Sequence, residues 1–159
     1  MHSVWRSLAL IMAVAPLMQP ASAIAQSNIG SASSVKNRVD GVIGGQARSL
    51  AAGSAVHSNE LIRSGEDSVA NLVLIDQTKL SVGPKSEVRL DKFVYDPNQR
   101  SGVVAIQATR GAYRFATGVQ DSKNYQIKTP YATLGVRGTV LEIVVTKTAD
   151  GRAARQNRR

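Results

Sequence analysis

Few side chains in this chain are spaced for chemistry. Ser33-Ser-Val-Lys36 has the Ser-x-x-Lys form in which a lysine can activate a serine nucleophile. It stands in a small, polar stretch, no Ser-Asp-Asn follows, and Lys128-Thr129 runs into Pro130 where that chemistry needs glycine. His57 is the one histidine besides His2, and a chain with no cysteine offers it no partners for a transition-metal site. Between Val56 and Ser58, beside a predicted turn, it reads as exposed or locally bonded. Glu66-Asp67 lies in a Gly/Ser turn, which suits a solvated loop better than two acids facing each other across a cleft. Neither Walker nor dinucleotide glycine spacing occurs. The expectation is therefore a non-catalytic protein with no metal and no cofactor. What remains is recognition. Tyr113, Arg114, Tyr131 and Arg137 are the binding candidates, because Arg and Tyr are common interface anchors. A structural reading competes with it: Tyr113 packs in the core beside Phe115, and Arg137 bonds loop carbonyls.

The elements that must position these residues are strands. From Val39 onward, short apolar runs with period-2 character alternate with Gly, Asp, Asn, Pro or Ser clusters, and no window carries a capped helical stripe. Val39 to Leu50 holds two pieces around Gly44-Gly45, and Ala55-Val56 and Leu61-Ile62 bracket Ser58-Asn59-Glu60. Val69 to Ile75 and Lys79 to Val82 flank Asp76-Gln77-Thr78, a connection short enough for a hairpin. Val88 to Tyr95 ends at Asp96-Pro97-Asn98-Gln99, and Val103 to Thr109 and Ala112 to Phe115 sit on either side of Gly111. Tyr125 to Lys128 and Val140 to Thr146 complete the set. Roughly eight to ten strands of about five residues predict an all-β fold, a compact antiparallel β-sandwich or short β-roll with little or no helix. Between the last two runs, Thr129-Pro-Tyr-Ala-Thr-Leu-Gly-Val-Arg-Gly-Thr139 reads as a specified turn. Pro130 fixes φ, while Gly135 and Gly138 permit backbone angles or close approaches closed to other residues.

The ends read differently. Residues 1–25 combine Arg6, an apolar run from Leu8 to Met18 and small-x-small pairs at 21 to 25, the pattern of a cleaved signal peptide that is too short to span a bilayer. Export, most simply to the periplasm or beyond it to the exterior, follows, with no transmembrane span after cleavage. Residues 26–38 look like a disordered lead-in, 39–146 like the folded domain, and 147–159 like a basic, disordered tail or a truncated or frame-shifted end. That tail holds five basic residues against Asp150, so much of the +9 net charge sits there. The body lacks the basic patch interleaved with aromatics that nucleic-acid binding requires. With no cysteine, the core alone holds the exported domain together.

The order of motifs from Val39 to Val145 resembles the FecR domain family of exported bacterial proteins. The matching pieces are Arg63-Ser-Gly-Glu-Asp-Ser68, Val73-Leu-Ile-Asp-Gln-Thr-Lys-Leu80, and Val82-Gly-Pro-Lys-Ser-Glu-Val88 running into Leu90-Asp-Lys-Phe-Val-Tyr-Asp-Pro97. Arg110-Gly-Ala-Tyr-Arg-Phe-Ala-Thr-Gly118, Tyr125-Gln-Ile-Lys-Thr-Pro130 and Gly135-Val-Arg-Gly-Thr139 follow in the same order. The resemblance implies an all-β exported domain. In the best-known members it follows a sigma-factor-binding segment and a membrane span, and receives a signal from an outer-membrane iron-siderophore receptor. Here seven residues precede the apolar run, so the expectation is a binding or sensing module of the envelope without the anti-sigma segment. Two further roles follow from the same features: a component of iron-related cell-surface signalling, and a structural or polyanion-binding envelope protein using the arginine tail. The expected partner is an envelope protein, peptide or glycan, and no nucleic acid. Val140 to Thr146 is the edge that could accept another strand.

Overall fold

A computed structural model of the chain describes residues 27–146. The signal segment 1–25 and the basic tail 147–159 lie outside the described residues. Twelve strands follow in order: β1 Asn28–Lys36, β2 Val39–Ile43, β3 Gln46–Ser49, β4 Ala55–His57, β5 Leu61–Ser64, β6 Val69–Leu74, β7 Lys79–Val82, β8 Glu87–Asp96, β9 Ser101–Ala116, β10 Tyr125–Lys128, β11 Thr133–Gly135 and β12 Val140–Val145. A single 3-10 turn, Ser122–Asn124, precedes β10. The all-β expectation holds. No described helix is long and apolar enough to cross a membrane.

The sheet runs β3-β2-β5-β8-β9-β7-β6-β1-β4, with β10, β11 and β12 attached beside it. Its organiser is β9, 16 residues long. The first part of β9 lies between β8 and β10, and the part from Gly111 onward lies between β7 and β12. One strand thus belongs to both halves, and the sheet curls around a single core. Leu72, Leu80 and Phe115 enter that core from one half, and Ile62, Leu90, Ile106, Tyr125 and Ile127 from the other, all essentially inaccessible. Each such side chain contributes about 1.5–3 kcal/mol by leaving water. Across the core the rings of Phe115 and Tyr125 meet edge to face, with centroids 5.6 Å apart.

Four expectations are corrected. Residues 28–36 of the lead-in form a nine-residue strand hydrogen-bonded to β6 on one side and β4 on the other. Its composition, Asn-Ile-Gly-Ser-Ala-Ser-Ser-Val-Lys, is poor in β-formers, and at Gly30 the neighbouring strand approaches closely: a Cβ there would lie 2.3 Å from the Val73 carbonyl oxygen. The pieces around Gly111 are one continuous strand, β9. The run 129–139 is interrupted by a short strand, β11, which pairs with β10. Finally, β10 runs parallel to β9, from Tyr125 beside Val104 to Lys128 beside Gln107, so the sheet is not wholly antiparallel.

Candidate functional site

The motifs with superficial catalytic form are structural. The Ser33 hydroxyl donates to the Asn71 carbonyl at 3.0 Å from within β1, where no helix carries it. Glu66 is exposed and pairs with Lys85 at 2.6 Å, and that hydrogen bond and charge lower its pKa and raise that of Lys85. His57 is locally bonded: its backbone N–H donates to Glu60 Oε2 at 2.8 Å, and its ring Nδ1 lies 3.4 Å from the same oxygen. Among the described residues no group of three or more His, Cys, Asp or Glu side chains could hold a metal ion.

Two buried carboxylates carry no signal in the sequence. Glu60 is fully buried, with Arg48 Nη2 2.8 Å from its Oε1 and the His57 contacts on its Oε2. Asp76, equally buried, accepts four hydrogen bonds: from the Thr78 N–H at 3.0 Å, the Thr78 hydroxyl at 2.8 Å, Gln120 Nε2 at 2.8 Å and the Tyr125 hydroxyl at 3.0 Å. The Tyr125 hydroxyl in turn accepts from the Gly118 N–H at 3.0 Å. In both sites the donors to the carboxylate come from the protein itself. Asp76 ties the β6–β7 turn to the loop after β9 and to β10.

The four binding candidates part company. Tyr113 is removed from the set: it is 4% exposed, and its hydroxyl accepts from the Glu87 N–H at 3.0 Å and is shared between the carbonyls of Glu87 and Arg110. There it fastens the register shift between β8 and β9, where Glu87 pairs with Arg110 but Val88 with Ala108. Burial pushes its pKa up to about 12, against the weaker pull of those backbone hydrogen bonds. The folded state therefore favours the neutral phenol. Its stabilising effect is complete below pH 10 and is lost as pH rises toward 12, by at most about 1.4 kcal/mol per pH unit. Tyr125, also shifted upward mainly by burial, acts in the same direction. Denaturant titrations at pH 9 to 12 should show this fall, and Tyr113→Phe, weaker at pH 8 by about 1–2 kcal/mol, should show a shallower one. An equal slope in both proteins would exclude Tyr113 as the titrating group.

Tyr131 is 66% exposed in the β10–β11 turn, and its hydroxyl reaches the Thr146 carbonyl at 3.4 Å, just past β12. Arg137 is exposed beyond β11 and makes no hydrogen bond or ion pair among the described residues, so it does not bond loop carbonyls there. Arg114 lies on the outer face of β9, opposite Ser81 of β7 on one side and Glu142 of β12 on the other. The structure links Arg114 to the middle of β12 and Tyr131 to its end, without gathering the candidates around one point.

What surrounds Arg114 is a built face. A polar row crosses five strands: Asn71 Nδ2 donates to Ser34 Oγ at 2.8 Å, and Ser81 Oγ donates to Asn71 Oδ1 at 2.6 Å, which brings the row to Arg114 and Glu142. Arg114, Lys79 and Glu142 make no ion pair among the described residues. Two shallow depressions of about 260 Å³ each meet at Arg114 and Ser81. One continues over Val69, Ala112 and Val144, the other over Lys79, Ala116 and Val140. Val140 and Val144 are 49% and 65% exposed, so an apolar surface flanks the charged row. Period-2 alternation in Val140-Leu-Glu-Ile-Val-Val145 already places Val140, Glu142 and Val144 on one face. That β9 lies beneath them could not be read from spacing.

The family model described as FecR protein matches residues 60–154, more than half of the chain. The chain belongs to the FecR family. No curated protein and no solved structure matches it. FecR proteins are regulatory and sensing proteins associated with the cell envelope. The match begins at Glu60, yet β1, β2, β3 and β4 of this FecR protein build into the same sheet upstream of it.

Proposed function

We propose that this FecR protein is an exported, non-catalytic binding and sensing module of the bacterial envelope, acting on a protein partner through the outer face of β7, β9 and β12. The observation that carries the reading is Arg114: an exposed guanidinium without an ion pair among the described residues, set between two depressions and bordered by exposed Val140 and Val144. Arginine next to apolar surface on a paired strand is the composition of an interface anchor, and the strand's backbone has little freedom left to lose on binding. Tyr131 and Arg137, exposed near the same end of the sequence, extend the surface to be tested.

The test places a photo-cross-linking residue at Val144 of the full chain in cells, with the same residue at Gln99 in the far β8–β9 turn as the control. One discrete envelope protein should be captured from position 144 and not from 99. Arg114→Glu should cut that capture at least about ten-fold while leaving the melting temperature unchanged, as expected for an exposed side chain. Equal capture from both positions, or none from 144, overturns the reading, as does recovery of the full chain only in the cytoplasmic fraction.

A further inference from the structure

We infer that the partner lays an extended segment antiparallel along the outer edge of β12, with a basic residue opposite Glu142 and an apolar residue two places to either side. This rests on the reading of the β7–β9–β12 face as the recognition surface. Among the described residues β12 pairs with β9 alone, in continuous register from Val140 beside Ala116 to Val145 beside Gly111. At six residues it is longer than the other edge strands, β3, β4 and β11.

Backbone direction shows what that edge offers. The Thr117 N–H donates to the Thr139 carbonyl at 3.0 Å, so residue 139 faces β9 with its backbone groups. In an antiparallel ladder hydrogen-bonded and non-hydrogen-bonded pairs alternate. Residues 141, 143 and 145 therefore also bond to β9, and Val140, Glu142 and Val144 turn their N–H and C=O groups to the open side. The same three residues hold the exposed side chains, while Ile143 and Val145 are buried beneath. A strand added there exchanges backbone hydrogen bonds with the three exposed residues and places its own outward side chains about 5.5 Å from theirs. Val140 and Val144 then select apolar neighbours, and Glu142, which has no ion pair among the described residues, selects a cation.

A second copy of the chain fits less well. The antiparallel register that stacks Val140 on Val144 puts Glu142 directly against its own copy, and like charges so placed repel. Sliding by two residues relieves this only by putting Glu142 against a valine and shortening the overlap. The complementary occupant is a segment of the form apolar-x-basic-x-apolar.

Fluorescence polarisation on the full chain tests this with the labelled peptide Thr-Val-Thr-Lys-Thr-Val-Thr and its Lys-to-Glu counterpart. The lysine peptide should bind about five- to ten-fold more tightly, the preference should shrink at high salt, and Glu142→Lys should reverse it. N-methylation of the peptide at its two valines and its lysine should abolish binding. Equal binding of both peptides, an unchanged preference in Glu142→Lys, absence of binding by either, or concentration-dependent dimers in sedimentation overturns the inference. If Val144 still captures an envelope protein in cells when the peptides fail, the proposed function stands and only the strand assignment falls.

Discussion

Asp76→Ala is expected to lower the stability of the domain by about 3–5 kcal/mol, with a fall in melting temperature of about 10–20 °C. Four donors converge on this carboxylate in a site with no solvent access: the Thr78 N–H and hydroxyl, Gln120 Nε2 and the Tyr125 hydroxyl. Removing the acceptor orphans them together. A buried donor left unpaired costs about 1–3 kcal/mol, reduced where the loop relaxes or water enters. Set against a total of about 5–15 kcal/mol for a domain of this size, the loss is a large fraction. The knot also explains why the effect should be global, since it joins the β6–β7 turn, the segment from Gly118 to Gln120 and β10. Chemical denaturation of Asp76→Ala, Tyr125→Phe and the double variant measures it. The two losses should be strongly non-additive, because both remove the same 3.0 Å hydrogen bond. A single-variant loss below about 1 kcal/mol, or simple additivity, would refute the assignment.

Gly111→Ala should be worse and leave little folded protein. Gly111 has φ +108°, where a side chain is strained by about 1–3 kcal/mol, and an added Cβ would lie 2.0 Å from Ser86 Oγ and 2.5 Å from Ser86 Cα. A change of rotamer moves the hydroxyl away but leaves the clash with the Ser86 backbone. Ser86 is itself held, its hydroxyl donating to the Pro84 carbonyl at 3.0 Å and accepting from the Ala112 N–H at 3.1 Å. Gly111 is also where β9 passes from one half of the sheet to the other, so displacement there disturbs both. Two other glycines calibrate the result. Gly138 shares φ +108° with nothing within 4 Å of the added Cβ, so Gly138→Ala should cost about 1 kcal/mol; Gly135 has neither constraint, and Gly135→Ala should be neutral. The yield of soluble, cooperatively melting protein ranks them. If Gly111→Ala melts like wild type, the account of the β9 bend is wrong. Ser86→Gly in the Gly111→Ala background should restore only part of the loss, since the positive φ and the backbone clash persist.

That comparison shows how much of the fold was legible. Gly135 and Gly138 stand out because they punctuate a motif, whereas Gly111, with the tighter constraint, looks like a break between two strands. A glycine flanked by apolar runs reads as a turn in one dimension; only the neighbouring strands reveal a continuous ladder bent around Ser86. β1 was hidden for a related reason. Its small polar residues give little local strand signal, and local propensity cannot report its pairing with β6 and β4.

Alternation and turn chemistry were enough, from the sequence alone, to establish an all-β chain and most of its strands, because period-2 burial and turn residues are local properties; the family came from the resemblance of six motifs in order. Residue type put Arg114 among four binding candidates, with Tyr113, Tyr131 and Arg137, without ranking it first. The tertiary structure alone decided the rest: that Tyr113 fastens a bulge, that Asp76 and Glu60 are buried and satisfied, and that Arg114 lies between Ser81 and Glu142 beside an open strand edge. Burial and pairing across strands depend on residues far apart in the chain. No local pattern spans that separation, and it is the register of β9 with β7 and β12 that turns scattered side chains into a face.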